Sequence, residues 1–564
     1  MITLNLVLRA RAALPAIHCL AAVLLTSAAT AGRAATPTAD LLIRGGIVID
    51  GTGLARTRAD IAVTAGHIQA IGPDLKLAAR TTIDARGKVV APGFIDAHNH
   101  SPPQLAQPLL HLNESFVRQG VTTVVGGPDG EISPADLQKL LTAYHRTGVG
   151  TNVAFYVGHN SIRSEVMGKN QDRTPTATEL VRMRALVRDG MQAGAVGLST
   201  GLMYSPGLFS ETDEVVALAR ETAPFHGIYE SHVRDPHRAL LQSNWEALEI
   251  GRQAGVPVDL THLTTPGKQH RGLMKAVVEQ IESARRQGLQ VVADQYPYNA
   301  VATGTLWSVL KYPPELPLPH GRHEAFTQSE QEAIRAALRD RAKRAQIRRE
   351  TLTGGADGFS LYKSSGPSSL LILVCPGCEQ YEGKFIADVA SEKQIDGFDA
   401  AASLLLNASA DIVVSMGGFF EEDVQALMKQ PWTMIASDGA IAVPGESAHP
   451  RYTGTFPRVL GHYVRELHVL TLEDAVRKMT SAPADFLGLQ GRGRLAVGAT
   501  ADIVVFDPAR ITDRSTWKNP VAPPEGVSDV IVNGVPVLKG GTMTGKAPGQ
   551  YLKRTGAAET LTSS

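Results

Sequence analysis

The sequence predicts an α/β architecture: a (β/α)8 TIM-like barrel, a small β-sandwich domain formed from both chain ends, and an inserted subdomain. Three observations predict it. Eight short apolar runs in the middle of the chain alternate with amphipathic stretches. A texture of short strands and glycine turns both opens and closes the chain. The histidines and carboxylates with chemistry to offer fall at the C-terminal ends of the apolar runs, where a barrel of this kind keeps its active site.

Taken in order, residues 1–35 stand apart. Arg9 and Arg11 precede AALPAIHCLAAVLLTSAATAG, and small residues follow up to GRAAT. A positive start, a short apolar core and an A-x-A-like site describe a signal peptide, with an N-terminal membrane anchor as the alternative; a cleaved leader implies a periplasmic or secreted protein. Residues 36–92 read as strands with glycine turns (DLLIRGGIVIDGTG, ADIAVTAGHIQAIG, TTIDARGKVVAPG). The same pattern returns over 487–555 in GRGRLAVGATADIVVFDP and VSDVIVNGVPVLKGG. These two ends form the expected sandwich.

Residues 93–486 are assigned to the barrel. Its expected strands are Phe94–His100, Thr122–Gly127, Asn152–Val157, Ala195–Thr200, Gly227–His232, Val256–His262, Leu289–Tyr296 and Met434–Asp438. Stretches such as SPADLQKLLTAYHRTG and TATELVRMRALVRDGMQAG supply the helices between them. The last two strands are separated by far more chain than one helix needs. An insertion is therefore placed at about 300–375, with barrel helices after it.

Composition narrows the function. The 564 residues carry 55 basic and 55 acidic side chains, so no net field favours nucleic acid or anionic lipid. With 43% hydrophobic residues and 54 glycines, the chain is that of a loop-rich globular enzyme, and nothing after the leader is long and apolar enough to span a membrane. Cys375 and Cys378, in VCPGC, have no second C-x-x-C to complete a four-cysteine zinc site. They are either a local disulfide or two unrelated turn cysteines.

The chemistry begins in APGFIDAHNHS, residues 91–101, where Asp96, His98 and His100 occupy alternate positions as the apolar run stops. In a strand such positions share one face, and neutral imidazole is a common metal ligand. Asp129 follows the second strand in TTVVGGPDG, His232 ends the fifth in GIYESHVRD, His262 the sixth in VPVDLTHL, and Asp438 the eighth in TMIASDG. Each has an ordinary alternative as a turn residue, a helix cap or a buried histidine. At the same end of successive strands, four histidines and two carboxylates instead describe a zinc site with an adjacent base.

These segments, with GHNSIR, AGAVGLSTGLMYSPG, THLTTPGK, ADQYPYNA, HPRYTGTFPRVL and MTSAPADFLGLQGRGRLAVGATADIVVFDP, resemble the amidohydrolase superfamily, and within it the N-acyl-D-amino-acid deacylase (D-aminoacylase) family. The resemblance implies a barrel enzyme that hydrolyses the amide of a small N-acyl amino acid with one or two zinc ions. His98 and His100 would serve one metal position and His232 and His262 the other, with Asp438 as general base and then acid. Asp129 stands where the family carries a cysteine ligand. Thr264 stands where it often carries a lysine near the substrate, so another cation (Lys268, Arg451 or Arg458) would have to meet a carboxylate. Tyr204 and Tyr298 would line the pocket. Two other readings stay open: an amidohydrolase acting on a dipeptide, a cyclic amide or another N-acyl compound, and an exported metal-binding protein without catalysis.

Overall fold

The computed structural model describes residues 38–316, 326–355, 360–443 and 449–554. The leader expected over residues 1–35 lies outside the described residues.

The barrel strands form two parallel runs. Phe94–Asp96, Val121–Gly126 and Asn152–Phe155 make one. Val157–Gly158, Gly197–Gly201, Ile228–His232, Val258–Leu260, Val291–Gln295 and Thr433–Ile435 make the other. The third strand belongs to both, because Val157–Gly158 continues Asn152–Phe155 past Tyr156. The free ends also meet. The Asp438 N–H donates to the His98 carbonyl at 3.0 Å and the His100 N–H to the Gly439 carbonyl at 2.8 Å, which completes a ring of eight.

Alternation along the strands sorts their side chains into two layers. Leu198, Tyr229, Val258, Leu260, Val291 and Ala293 pack with Met183, Val187, Leu248, Val277 and Ile281 of the surrounding helices. Ile95, Val125, Ala154, Val196, Ile228 and Met434 form an apolar cluster of their own. Within Ile228–His232, Glu230 and His232 share the face of Ile228, opposite Tyr229 and Ser231. A strand that buries both faces thus spends one on packing and the end of the other on chemistry.

Strands from both chain ends join in one sheet of nine. Val89–Pro92 pairs in parallel with Thr38–Val48 and antiparallel with Ile503–Phe506, so the two ends of the chain are direct neighbours. Ile503 and Val505 face a core shared with Leu41, Ile43, Ile61 and Ile83. Val504 and Phe506, one residue out of phase, pack with Phe94 and Phe456 of the barrel. This sheet and the barrel are thereby cemented through alternate residues of one strand.

The insertion is longer than expected. Thr303–Thr305, Leu371–Val374 and Val413–Ser415 form its sheet, and Ala300 bridges Gly418 where the chain leaves and re-enters the barrel. Helices Ile386–Lys393 and Gly397–Asn407 belong to it and not to the barrel, since Ile386, Val389, Phe398, Ala401 and Leu405 share a core with Leu306, Trp307, Ile334 and Val414. The insertion therefore runs over about 300–418 instead of 300–375. An amphipathic pattern shows that a helix has a buried face, not which core it faces. Within the insertion Cys375 and Cys378 form a disulfide.

Candidate metal centre

Six side chains meet at the C-terminal mouth of the barrel. The His98 and His100 Nε2 atoms lie 3.3 Å apart. Asp438 Oδ1 sits 3.5 Å from His98 Nε2 and 3.2 Å from His100 Nε2. Asp129 Oδ1 lies 3.9 Å from His98 Nε2 and 3.5 Å from His262 Nε2, and its Oδ2 lies 3.6 Å from His232 Nδ1. Two sets of donors, His98–His100–Asp438 and His98–Asp129–His262, each fall within 4.8 Å of one another.

The backbone is bent to deliver them. Regular strand geometry stops at Asp96, so His98 and His100 sit beyond the strand and Asp96 does not converge with them as alternation predicts. Asp96 instead accepts from the Ser437 N–H at 2.8 Å, the Ser437 hydroxyl at 2.5 Å and the Asn99 amide at 2.8 Å. It ties the ends of the first and eighth strands together, the seam on which Asp438 stands. Burial pushes its carboxyl up to about 6 despite these donors. Asp129, His262 and Asp438 all adopt positive φ, at 54°, 35° and 48°. For residues other than glycine this is uncommon and is held only where the surroundings enforce it.

Electrostatically the cluster is an acid–base lattice. Burial would push Asp438 up, but the Arg451 guanidinium with His100 and His98 holds it well below the usual carboxylate range. Burial is likewise overcome at Asp129 by His232, His262 and His98. His98 and His100, which burial would make less basic, are carried well above the ordinary imidazole value by carboxylates: Asp438 and Glu230 for His98, Glu131 and Asp438 for His100. Asp129 Oδ1 and His232 Nε2 are buried without a hydrogen-bond partner. Such orphaned donor atoms, among converging imidazoles and carboxylates, fit a divalent cation of the zinc class, which exchanges with imidazole protons.

The other expected site residues divide. Arg451 is buried beside the donors, with Nη1 2.9 Å from Asp438 Oδ2 and its guanidinium 4.7 Å over the Tyr296 ring. Tyr204 packs on His232, with its hydroxyl 3.3 Å from Nδ1. Tyr298 does not face the donors. Its buried hydroxyl finds partners in the Pro450 carbonyl and Asp513, both at 3.3 Å, and its ring packs on His449 and Trp517. Lys268 is also elsewhere, half-exposed and paired with Asp388. Arg458 is held by Asp513 and the Pro297 carbonyl. Thr264 is buried, as a pocket residue would be.

Sequence reasoning missed a layer of acids beneath the donors. Glu230, wholly buried, places Oε1 3.2 Å from His98 Nδ1, and burial pushes its carboxyl up to about 7. Asp294 accepts from the Thr261 hydroxyl at 2.7 Å and from the His262 N–H at 2.8 Å. Asp259, beside it, is raised well above the carboxylate range by burial and by Asp294 and Glu230. Glu131 lies 3.0 Å from His100 Nδ1. The signal for Glu230 was present: in YESH it stands two residues before His232, on the same face.

Comparison with known proteins agrees with this geometry. The amidohydrolase family model matches residues 81–229 and 398–538. A D-aminoacylase of Alcaligenes xylosoxydans xylosoxydans is 34% identical over 92% of this chain and 98% of its own length. An N-acyl-D-glutamate deacylase of the same organism is 33% identical over 91% and 96%. The crystal structure of N-acyl-D-glutamate deacylase from Bordetella bronchiseptica, complexed with zinc and a phosphonate mimic of the tetrahedral intermediate, superposes with a TM-score of 0.70 at 31% identity, covering 92% of this chain and 100% of that one. A D-aminoacylase structure concerned with its binuclear metal centre matches at a TM-score of 0.69 and 32% identity, covering 91% and 100%. The chain belongs to the amidohydrolase family, in the branch that holds the D-aminoacylases.

Proposed function

We propose that the protein is a zinc-dependent hydrolase of N-acyl-D-amino acids that releases a carboxylate and a D-amino acid. The observation that carries this is the convergence of four imidazoles and two carboxylates at the barrel mouth, with a buried guanidinium beside them. His98, His100, Asp129, His232 and His262 would hold one or two zinc ions. When bound, zinc supplies the Lewis acidity and the lowered water pKa that amide hydrolysis needs at neutral pH.

The chain's own groups do the rest. Asp438, kept ionised by Arg451 and the two histidines, takes a proton from the attacking water and returns it to the leaving amine. Arg451 keeps its Nε buried and unpartnered while Nη1 faces Asp438, so it can meet a substrate carboxylate close to the proton carrier. Among the described residues named as candidate cations, it alone faces the donors. The Tyr204 hydroxyl lies against His232 and can donate to the acyl oxygen. Together these groups orient the substrate between base and acid.

The buried Thr264, in place of a lysine, favours one alternative, an amidohydrolase acting on a dipeptide, a cyclic amide or another N-acyl compound. Amino-group release by zinc-supplied, leader-free protein from paired D and L N-acetyl amino acids separates the two. Turnover of D forms alone is expected, and failure with every form would refute the deacylase reading. The arginine-led apolar leader supports export, so we place the enzyme in the periplasm or outside the cell. Fractionation of the source cells tests that placement, and recovery of the uncut chain in the cytoplasm would refute it.

A further inference from the structure

His98 contributes to both candidate donor sets, so the state of its ring governs the whole centre. An imidazole can offer Nε2 to a metal only if its ring proton sits on Nδ1. What decides this is the hydrogen bond that Nδ1 makes.

His98 Nδ1 is hydrogen-bonded to the Thr261 hydroxyl. That hydroxyl has one proton, and Asp294 Oδ2 lies 2.7 Å from it. The other oxygen of Asp294 accepts the His262 N–H at 2.8 Å, and as a carboxylate Asp294 offers acceptors only. Thr261 therefore donates to Asp294, and the bond it shares with His98 must be donated by the ring. In its ionised form a second acid points the same way: Glu230 Oε1 lies 3.2 Å from the same nitrogen. Asp294, Thr261 and Glu230 are all buried. Water cannot easily rewrite this pattern.

We propose that Asp294, acting through Thr261, fixes the proton of His98 on Nδ1 and so presents Nε2 to the metal, while its second oxygen holds the His262 backbone at its positive φ. Asp294 and Thr261 are positioning residues, touching neither metal nor substrate. The proposal rests on the reading of His98 as a ligand.

Asp294→Asn is the informative substitution, because it keeps the shape and reverses the polarity. With its carbonyl oxygen still accepting the His262 N–H, the amide nitrogen faces Thr261 as a donor, and the hydroxyl proton must turn onto His98 Nδ1. The ring is then forced to carry its proton on Nε2. Zinc affinity, measured by chelator competition, should fall roughly 10–100-fold. In metal-free protein carrying ¹⁵N-histidine, read at a pH high enough to neutralise the ring, the His98 spectrum should pass from the Nδ1–H to the Nε2–H form. Thr261→Val should also lose affinity, and Thr261→Ser should restore it. These two variants keep the test open if Asp294→Asn does not fold. His98→Ala must lose zinc for the ligand reading to stand. If it binds zinc as the parent does, that reading and the proposal fall together. If His98→Ala loses zinc while Asp294→Asn and Thr261→Val do not, the relay alone is refuted.

Discussion

Asp438 belongs to three relationships at once: the ion pair with Arg451, the contacts with His98 and His100, and a backbone bond to the seam of the barrel. Its task in turnover is narrower, since only the carboxylate can take a proton. Asp438→Asn should abolish turnover in the amino-release assay while zinc remains bound by direct metal analysis. Unchanged turnover would remove it as the base. Arg451→Met should raise KM for N-acyl amino acids more than it lowers kcat, because a guanidinium that meets a substrate carboxylate acts first on binding. An unaltered KM would place the carboxylate elsewhere. The structure brings together the four histidines and two carboxylates expected from the sequence, each at or just past the end of an apolar run. What was not legible was orientation. Tyr296 and Tyr298 share one motif, yet one lies under Arg451 and the other turns to Asp513. Periodicity does not continue past the strand end at Gln295 into the bend at Pro297 that separates them. Glu230 was legible by parity with His232, whereas Asp294 needed the backbone bend at His262 before its role could be seen.

At the scale of elements, helices carry their own start signals. The helix Ala177–Gln192 opens with a capping box in which Thr176 accepts the Glu179 N–H and Glu179 accepts the Thr176 N–H. Arg173 adds a bidentate pair to the same carboxylate. Hydrogen bonds from Arg173 and then from the Thr176 backbone lower the Glu179 carboxyl from 4.5 to about 2. A carboxyl depressed in the folded state contributes stability above its unfolded value and loses it as the pH falls. The contribution should therefore be complete above about pH 4.5 and vanish toward pH 2. Thr176→Ala should cost about 1 kcal/mol at neutral pH by denaturant unfolding. Glu179→Gln should destabilise at neutral pH and become neutral near pH 2. A loss independent of pH would assign the effect to packing. The positions of the barrel strands were likewise legible, since apolar runs bounded by glycine and proline mark them. The far boundary of the insertion was not, because Gly397–Asn407 has the apolar stripe of a barrel helix and only the contacts of Phe398 and Leu405 show whose core it fills.

The whole molecule depends on two long-range fastenings. One is the metal centre, whose donors come from five strand ends; a ligand bound only by the folded state stabilises it by mass action. Stripping metal with chelator should lower Tm, and zinc in excess should restore it in a concentration-dependent way. A Tm indifferent to zinc would mean the donors do not bind it. The other fastening is the C-terminal stretch. The Val153 N–H donates to the Gln550 carbonyl at 2.9 Å and its carbonyl accepts the Leu552 N–H at 2.8 Å, while Tyr551 packs on Phe155. Deleting residues 548–564 would leave those buried groups unpaired, at about 1–3 kcal/mol each. Thermal unfolding of the truncated protein should show a loss larger than that of Thr176→Ala.

The shared sheet has a further consequence, for the order of events in synthesis. Val89–Pro92 is a buried strand whose antiparallel partner is Ile503–Phe506. At roughly 5–20 residues per second, about 400 residues of intervening chain take on the order of 20–80 s to make. For that interval an apolar strand edge waits open, a template for the wrong neighbour. The N-terminal portion cannot finish folding as it emerges. It must be held unfinished until nearly the whole chain exists, which is also the state in which a chain threads through a membrane.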